Sequence, residues 1–248
     1  MGIRFSPAWL AALAAVGWID ATVAQAADAK LTESGKPPAA SDTLQLYYGD
    51  DPDGVNALIA NDSVSDAFMR LVYEPMADRD WKNPDQWNNI LAESIDFDEK
   101  TLEFTIKIKK GIKWHPMKLP NGTLLPEAEL TARDVKFTFD CILNPFTEAA
   151  TIRSYYEDPE ATDASQKIKI EVKTDRKDPY LIKIKWKKPY FLAKEYTVSV
   201  PIIPRHVYSV NEKGEPISFD FSSKEFADGF NEHWANDEMC GTGPMMFT

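Results

Sequence analysis

Hydrophobic and polar residues alternate strictly along residues 102–109. The hydrophobic positions are Leu102, Phe104, Ile106 and Ile108, and each is followed by a charged residue or a threonine. A period of two places these four side chains on one face of an extended chain, as in a β-strand with one buried face. The pattern predicts a strand that ends at Lys110-Gly111.

The spacing becomes helical after a loop, 116–129, that is rich in proline, glycine and asparagine. Apolar residues then fall on one helical face, at Val135, Phe139 and Ile142. Thr131 and Asp134 have the spacing of a capping box, in which the Thr131 hydroxyl accepts from the backbone N–H three residues on and the Asp134 side chain accepts from the backbone N–H of Thr131. Asn144-Pro145 predicts the end of this helix.

The chain before this region predicts one strand and one helix. Residues 43–48 predict a short strand, and residues 49–54, which are rich in aspartate and glycine, predict a turn after it. Asn61 or Asp62 is the expected N-cap of the next helix. The apolar face of that helix is expected at Val64, Phe68, Leu71 and Val72.

A second alternating region predicts a β-hairpin. The apolar positions run from Ile168 to Val172 and from Tyr180 to Trp186, with a turn at 175–179. Lysines occupy the other face of both strands. Such lysines are compatible with a surface that binds a polyanion, but we favour a role in preventing edge-to-edge pairing of strands.

Composition indicates a folded, acidic protein. The chain has 248 residues, of which 44% are apolar, and this is enough for one substantial core or two small ones. The formal net charge is −11. Nucleic-acid binding requires clustered positive charge, so we expect no nucleic-acid partner.

The first 42 residues predict export and a tether. Arg4 precedes an apolar run from Ala8 to Val16, and an Ala-x-Ala site predicts signal-peptide cleavage after Ala26. The apolar run is shorter than the ~20 residues of a membrane span. Residues 27–42 are polar and include Lys-Pro-Pro, which predicts a disordered tether. We therefore expect a soluble periplasmic protein.

The chemistry-bearing residues predict neither a metal site nor a cofactor. The two cysteines, Cys141 and Cys240, leave a disulfide open, since their distance is unknown from sequence. The three histidines are scattered, and no pair of ligands has zinc spacing. No nucleophile elbow or phosphate loop occurs, so we expect no enzyme activity.

Several strings of the sequence, in this order, resemble those of the family 5 extracellular solute-binding proteins. The longest begins with the strand at 102–109 and continues through KKGIKWH and the polar loop to LTARDVKFTFDCI. The others are LVYEPM at 71–76, LAES at 91–94, PIIPRH at 201–206 and GTGPMMF at 241–247. Departures include a loop 116–129 longer than usual and Met245 in the place of the usual tyrosine.

The resemblance implies a mixed α/β fold. It identifies residues 43–248 as the N-terminal part, lobe I, of a periplasmic-binding-protein-like fold with the extra subdomain of the peptide-binding group. Family members continue into a second lobe, so the resemblance implies that this chain is a fragment that lacks lobe II. It also implies that Trp114 and His115 are packing residues.

The implied function is capture of peptides for an ABC importer. Expected partners are a di- or oligopeptide and the permease subunits at the membrane. A receptor that tolerates many side chains needs carboxylates for an amine and aromatic walls for the rest. The expected ligand contacts are Tyr48, Asp50 and Asp51, at the end of the first strand, and in addition Asn61 and Tyr73. Turn formation is an equally good interpretation of the two aspartates.

Two other functions stay open. The same fold serves other solutes, such as a nickel chelate, haem or an oligosaccharide. An exported hydrolase is also possible, since carboxylates are abundant. However, nothing in the sequence singles out two of them as an acid and base pair.

Overall fold

The computed structural model describes residues 49–163, 167–217 and 220–247. The predicted signal peptide, the predicted tether and the predicted strand at 43–48, with Tyr48, lie outside these residues and stay predictions. The described chain is a mixed α/β structure with one four-stranded sheet, one small two-stranded sheet and several helices. The predicted fold class is therefore confirmed.

The elements follow one another in mixed order. The helices are α1 (Ser63–Val72), α2 (Ala132–Leu143), α3 (Ala150–Arg153), α4 (Ala193–Val198), α5 (Arg205–Tyr208) and α6 (Lys224–Asn231). The strands are β1 (Ala77–Arg79), β2 (Trp87–Asn89), β3 (Ala92–Asp98), β4 (Glu103–Ile108), β5 (Ile170–Thr174) and β6 (Leu181–Trp186). Short 3-10 turns lie at Ser154–Tyr156 and Trp234–Asp237.

The four-stranded sheet is antiparallel with the order β3-β4-β6-β5. Its central strand β4 alternates as predicted: Phe104, Ile106 and Ile108 are buried and the residues between them are not. Leu102 differs from the prediction, because it lies before the strand with φ 57°, in the tight turn between β3 and β4. Strands β5 and β6 form the predicted hairpin, with Ile182, Ile184 and Trp186 buried.

Helix α2 packs against the sheet and begins with the predicted capping box. Thr131 Oγ1 accepts a hydrogen bond from the Arg133 N–H at 3.3 Å, and the Thr131 N–H donates to Asp134 Oδ2 at 2.9 Å. The predicted apolar face is confirmed, because its three members are fully buried: Val135, Phe139 and Ile142.

Helix α1 is capped by Asp62, one of the two predicted caps, but it buries a different face. The buried residues are Ser65, Met69 and Val72, whereas three of the predicted positions are only partly buried: Val64, Phe68 and Leu71. The difference arises at Ser65, whose hydroxyl bonds the Asp62 carboxylate and accepts the Gly54 N–H at 3.3 Å. Because this polar side chain is satisfied inside the protein, it can face the core.

The Gly-Thr-Gly string packs against the C-terminal end of α1. The Gly243 N–H donates to the Val72 carbonyl oxygen at 2.8 Å, and a Cβ on Gly241 would lie 1.9 Å from that oxygen. Glycine is therefore required at Gly241 by close backbone approach. His115 joins the same contact, since its Nε2 lies 2.8 Å from the Gly243 carbonyl oxygen.

The two cysteines are free thiols in the core. Burial raises the pKa of Cys240 to about 12, and it raises the pKa of Cys141 as well. Both therefore stay protonated at neutral pH and act as small hydrophobic residues.

Candidate ligand-binding site

The 49–61 loop presents the predicted aspartates to solvent. Asp50 and Asp51 are both exposed, and Asp50 Oδ1 accepts the Asp51 N–H at 3.0 Å. One carboxylate oxygen of Asp50 thus shapes the turn. The charge of both residues still faces the outside of the loop, so the turn geometry leaves them accessible to a ligand.

Asn61 and Tyr73 lie at opposite ends of α1. Asn61 is exposed and donates to the Ile59 carbonyl oxygen at 2.7 Å. Tyr73 is the C-cap residue and is only 3% exposed, and burial raises its pKa well above the usual range. Ten helical residues span about 15 Å, so the structure does not bring these two side chains together.

Asn56 anchors the loop to a distant part of the chain. It is 4% exposed, and its Nδ2 donates to Asn236 Oδ1 at 2.7 Å and to the Tyr208 hydroxyl at 3.4 Å. Its Oδ1 accepts the Leu58 N–H at 2.9 Å. The sequence signal for this role was weak, since asparagine in a turn-rich loop is expected to serve the turn itself.

A cavity of about 300 Å³ lies beside Tyr208. Its aromatic wall is formed by Tyr208, Phe226 and Phe230, with ring centroids 5.1 Å apart for Tyr208 and Phe230 and 6.1 Å apart for the two phenylalanines. The remaining lining residues are Ile217, Asp220, Ser223, Glu225, Gly229 and His233. We call this the aromatic cavity. Its volume fits a side chain or a small solute.

The aromatic cavity combines negative charge with a neutral histidine. Hydrogen bonds from the Ser222 hydroxyl at 2.7 Å and from the Ser222 N–H at 3.1 Å lower the pKa of Asp220, so its carboxylate is charged at neutral pH. Burial lowers the pKa of His233, which donates from Nε2 to the Val210 carbonyl oxygen at 3.0 Å. A carboxylate beside aromatic rings suits a cationic group on a hydrocarbon stem.

A smaller cavity of about 220 Å³ lies at the C-terminal end of α1 and includes Tyr73. Two of its three carboxylates are already paired: Asp66 pairs with Arg70 at 2.7 Å, and Glu195 pairs with Arg79 at 2.6 Å. The third, Asp78, accepts the Arg79 N–H at 2.8 Å. Because a paired carboxylate has less to offer a ligand, the aromatic cavity is the better candidate for binding.

Sequence reasoning missed the aromatic cavity. The segment 226–237 contains most of α6 and the following 3-10 turn. The cavity forms where that segment packs against Tyr208, and the Tyr208 hydroxyl is joined in turn to the distant Asn56. Within the described residues no group of three or more potential metal ligands occurs, and none of the helices there is long and apolar enough to cross a bilayer.

A curated relative with a matching sequence is the oligopeptide-binding protein AppA of Bacillus subtilis. It is 27% identical over 216 residues, which cover 87% of this chain and 37% of AppA. The chain therefore spans little more than a third of the length of this relative.

Solved structures of similar fold include AppA of Bacillus subtilis in complex with a nonapeptide, with TM-score 0.54 and 23% identity. The match covers 78% of this chain and 31% of AppA. NikZ of Campylobacter jejuni, in complex with Ni(L-His), gives TM-score 0.55 at 21% identity and covers 80% of this chain and 31% of NikZ. At these identities the likeness establishes the fold.

A family model identifies the family itself. The model of the bacterial extracellular solute-binding proteins, family 5, matches residues 86–248, which is more than half of the chain. The strings that carried the resemblance from residue 91 onward all lie inside this match. The chain therefore belongs to family 5 of the bacterial extracellular solute-binding proteins.

Proposed function

We propose that this chain is part of the substrate-binding component of an ABC importer and that it captures peptides outside the inner membrane. Family membership supports a solute-binding role. The peptide assignment is supported by the relative AppA, which is named as an oligopeptide-binding protein. The permease subunits of the importer are the proposed protein partners.

The observation that carries this proposal is the aromatic cavity and its link to the 49–61 loop. A peptide offers an ammonium group, backbone amides and variable side chains. The rings of Tyr208 and Phe230 suit side chains, and the carboxylate of Asp220 suits an ammonium or guanidinium group. Asn56 connects this cavity to the loop that carries Asp50 and Asp51.

The predicted ligand contacts have two different roles in this proposal. Tyr48, Asp50, Asp51 and Asn61 stay proposed ligand contacts at the exposed loop and the strand before it. Tyr73 is buried, so we propose that it supports the end of α1 rather than touching the peptide. Family members bind solutes by closing two lobes, and we propose that residues 43–248 form part of the first.

Location and processing follow from the same proposal. Residues 1–26 would act as a signal peptide and residues 27–42 as a tether, which places the mature protein in the periplasm. Other solutes, including a nickel chelate, stay as alternatives because NikZ shares the fold.

Isothermal titration of the 248-residue chain with di- to octapeptides tests the proposal. One wall of a cleft removes only part of a ligand from water, so we expect dissociation constants on the order of millimolar or weaker. Asp220→Asn should weaken binding of a lysine-rich peptide further, by about fivefold or more, through loss of a charged partner. Asp228→Asn on α6 is the matched control, since Asp228 pairs with Lys224 and does not line the cavity.

Two results would contradict different parts of the proposal. Micromolar binding of a peptide by this chain would contradict the two-lobe part, because the site would then lie wholly within these residues. No heat with any peptide at millimolar concentration, together with heat for nickel-histidine, would replace the peptide by a metal chelate as the solute.

A further inference from the structure

The segment after β6 places an unusually exposed aromatic ring next to a basic run. Phe191 is 88% exposed, more than any other large hydrophobic side chain among the described residues. The residues before it read Lys-Ile-Lys-Trp-Lys-Lys-Pro-Tyr, from 183 to 190. A single exposed ring is ordinary on a protein surface, so its meaning depends on its neighbours.

Phe191 stands at the end of a stack of tyrosine rings. Tyr155 and Tyr196 stack with centroids 4.2 Å apart at 15°, and Tyr196 and Tyr190 lie 6.1 Å apart at 10°. Tyr190 meets Phe191 edge-on at 5.4 Å. We call these four residues the aromatic platform. Since each ring is held by the next, the platform presents Phe191 from a fixed base.

Three lysines lie at or next to the aromatic platform. Lys169 lies 4.7 Å above the Tyr190 ring. Lys187 and Lys194 are exposed and lie within four residues of Phe191 in sequence, and Lys194 lies 5.0 Å from the neighbouring Trp87 ring. Within the described residues these three lysines make no ion pair at 4.0 Å or less.

Most carboxylates near the platform are already neutralised by a basic partner. The pairs are Glu157 with Lys167, Asp158 with Lys188, Glu171 with Lys173, and Glu195 with Arg79. Asp158 also interacts with Lys169, and Glu171 with Lys187. Glu160 acts on Lys188 from further away. The platform is thus locally basic in a chain whose net charge is −11.

We propose that the aromatic platform, with Lys169, Lys187 and Lys194, is a peripheral docking surface for a bilayer that carries anionic phospholipids. An exposed phenylalanine enters the boundary between headgroups and acyl chains, tyrosines favour the same depth, and lysines face the phosphates. The acidic remainder of the surface is repelled by such a bilayer, so the protein docks in one orientation.

The expected affinity for the bilayer is modest, because few groups contribute to it. Burial of one phenylalanine side chain changes affinity by about tenfold or more. Each lysine near an anionic surface contributes about a fivefold change, which salt screens within a Debye length of ~10 Å at 0.1 M. Binding is therefore expected to be reversible and to weaken steeply with added salt.

Sedimentation of the protein with vesicles tests the proposal. Vesicles of phosphatidylcholine with about one third phosphatidylglycerol should bind the chain at low salt, and vesicles of phosphatidylcholine alone should not. Phe191→Ser should weaken binding about tenfold. Its control is Phe146→Ser, which removes a ring that is 50% exposed and lies outside the platform, and it should leave binding unchanged. The double variant Lys187→Glu with Lys194→Glu should abolish binding, and the control Lys213→Glu should retain most of the binding.

Peptide binding plays no part in this readout, so its result is independent of the proposed function. Equal binding to neutral and anionic vesicles, or equal binding by Phe191→Ser and the unaltered chain, would overturn the proposal. A third result would also overturn it: the unaltered chain binds no vesicles but self-associates in sedimentation velocity, and Phe191→Ser loses that self-association. The platform would then be a contact between copies of the chain. Circular dichroism establishes that each variant is folded before comparison.

Discussion

Removal of the Asn56 side chain should both destabilise the protein and free the 49–61 loop. The side chain makes three contacts: it donates to Asn236 at 2.7 Å, donates to the Tyr208 hydroxyl at 3.4 Å, and accepts the Leu58 N–H at 2.9 Å. Asn56→Ala leaves the Leu58 N–H and the side-chain Oδ1 of Asn236 without these partners.

The cost can be worked out from these contacts. Each buried polar group left without a partner costs ≈1–3 kcal/mol. The contact at 3.4 Å is too long to count fully. Two groups lose good hydrogen bonds, and Leu58 is only 3% exposed, so water replaces little of the loss there. We therefore expect Asn56→Ala to lower the free energy of unfolding by roughly 2–4 kcal/mol.

Urea unfolding followed by tryptophan fluorescence measures this change. Asn61→Ala is the matched control, because Asn61 is exposed and makes one local hydrogen bond, and its effect should stay within about 0.5 kcal/mol. Hydrogen exchange should show faster exchange of the Leu58 amide in Asn56→Ala than global destabilisation explains. An Asn56→Ala midpoint equal to that of the unaltered chain would refute the proposed anchoring.

Three further predictions concern the cap, a buried histidine and export. Thr131→Ala should lower the stability by about 1 kcal/mol through loss of the α2 cap; an unchanged urea midpoint in the folded variant would contradict this. Burial lowers the folded-state pKa of His206 to about 4 from 6.5, so the unfolded chain binds more protons and stability falls as pH drops from 6.5 towards 4. His206→Gln should flatten that part of the pH profile of the urea midpoint; an identical profile would show that His206 does not titrate this way. N-terminal sequencing of the exported protein should begin at Ala27 or within a few residues, and a retained Met1 would rule out the predicted cleavage.

The sheet and the main helix were predictable because their signals are local. Alternation of apolar and polar residues over a few positions predicts strand β4. A capping box and apolar residues at helical spacing, all within one segment, predict α2. The buried face of α1 was not predictable, because a serine is expected at the surface unless its hydrogen-bond partners, here Asp62 and Gly54, are known. Those hydrogen bonds become visible only in the folded structure.

The candidate site was predictable only in part. Asp50 and Asp51 stood out because a strand end rich in carboxylates has a recognisable composition. The aromatic cavity did not stand out, because its rings, at Tyr208, Phe226 and Phe230, resemble ordinary core residues in the sequence, and its link to the 49–61 loop, from Asn56 to Tyr208, spans 152 residues. No periodicity or motif records a pairing at that separation.

Mapping of peptide contacts by amide chemical shifts on the ¹⁵N-labelled chain is the most direct test of the central claim. Titration with trilysine to millimolar concentration should move amides around the aromatic cavity, such as Gly229, and around Asn56, and triglutamate should move neither set, since Asp220 repels it. Asp220→Asn should reduce the trilysine shifts, while Asp228→Asn should not. Peptide-induced shifts confined to residues far from both Asn56 and the cavity would contradict the account, because the ligand would then bind a different face of the molecule.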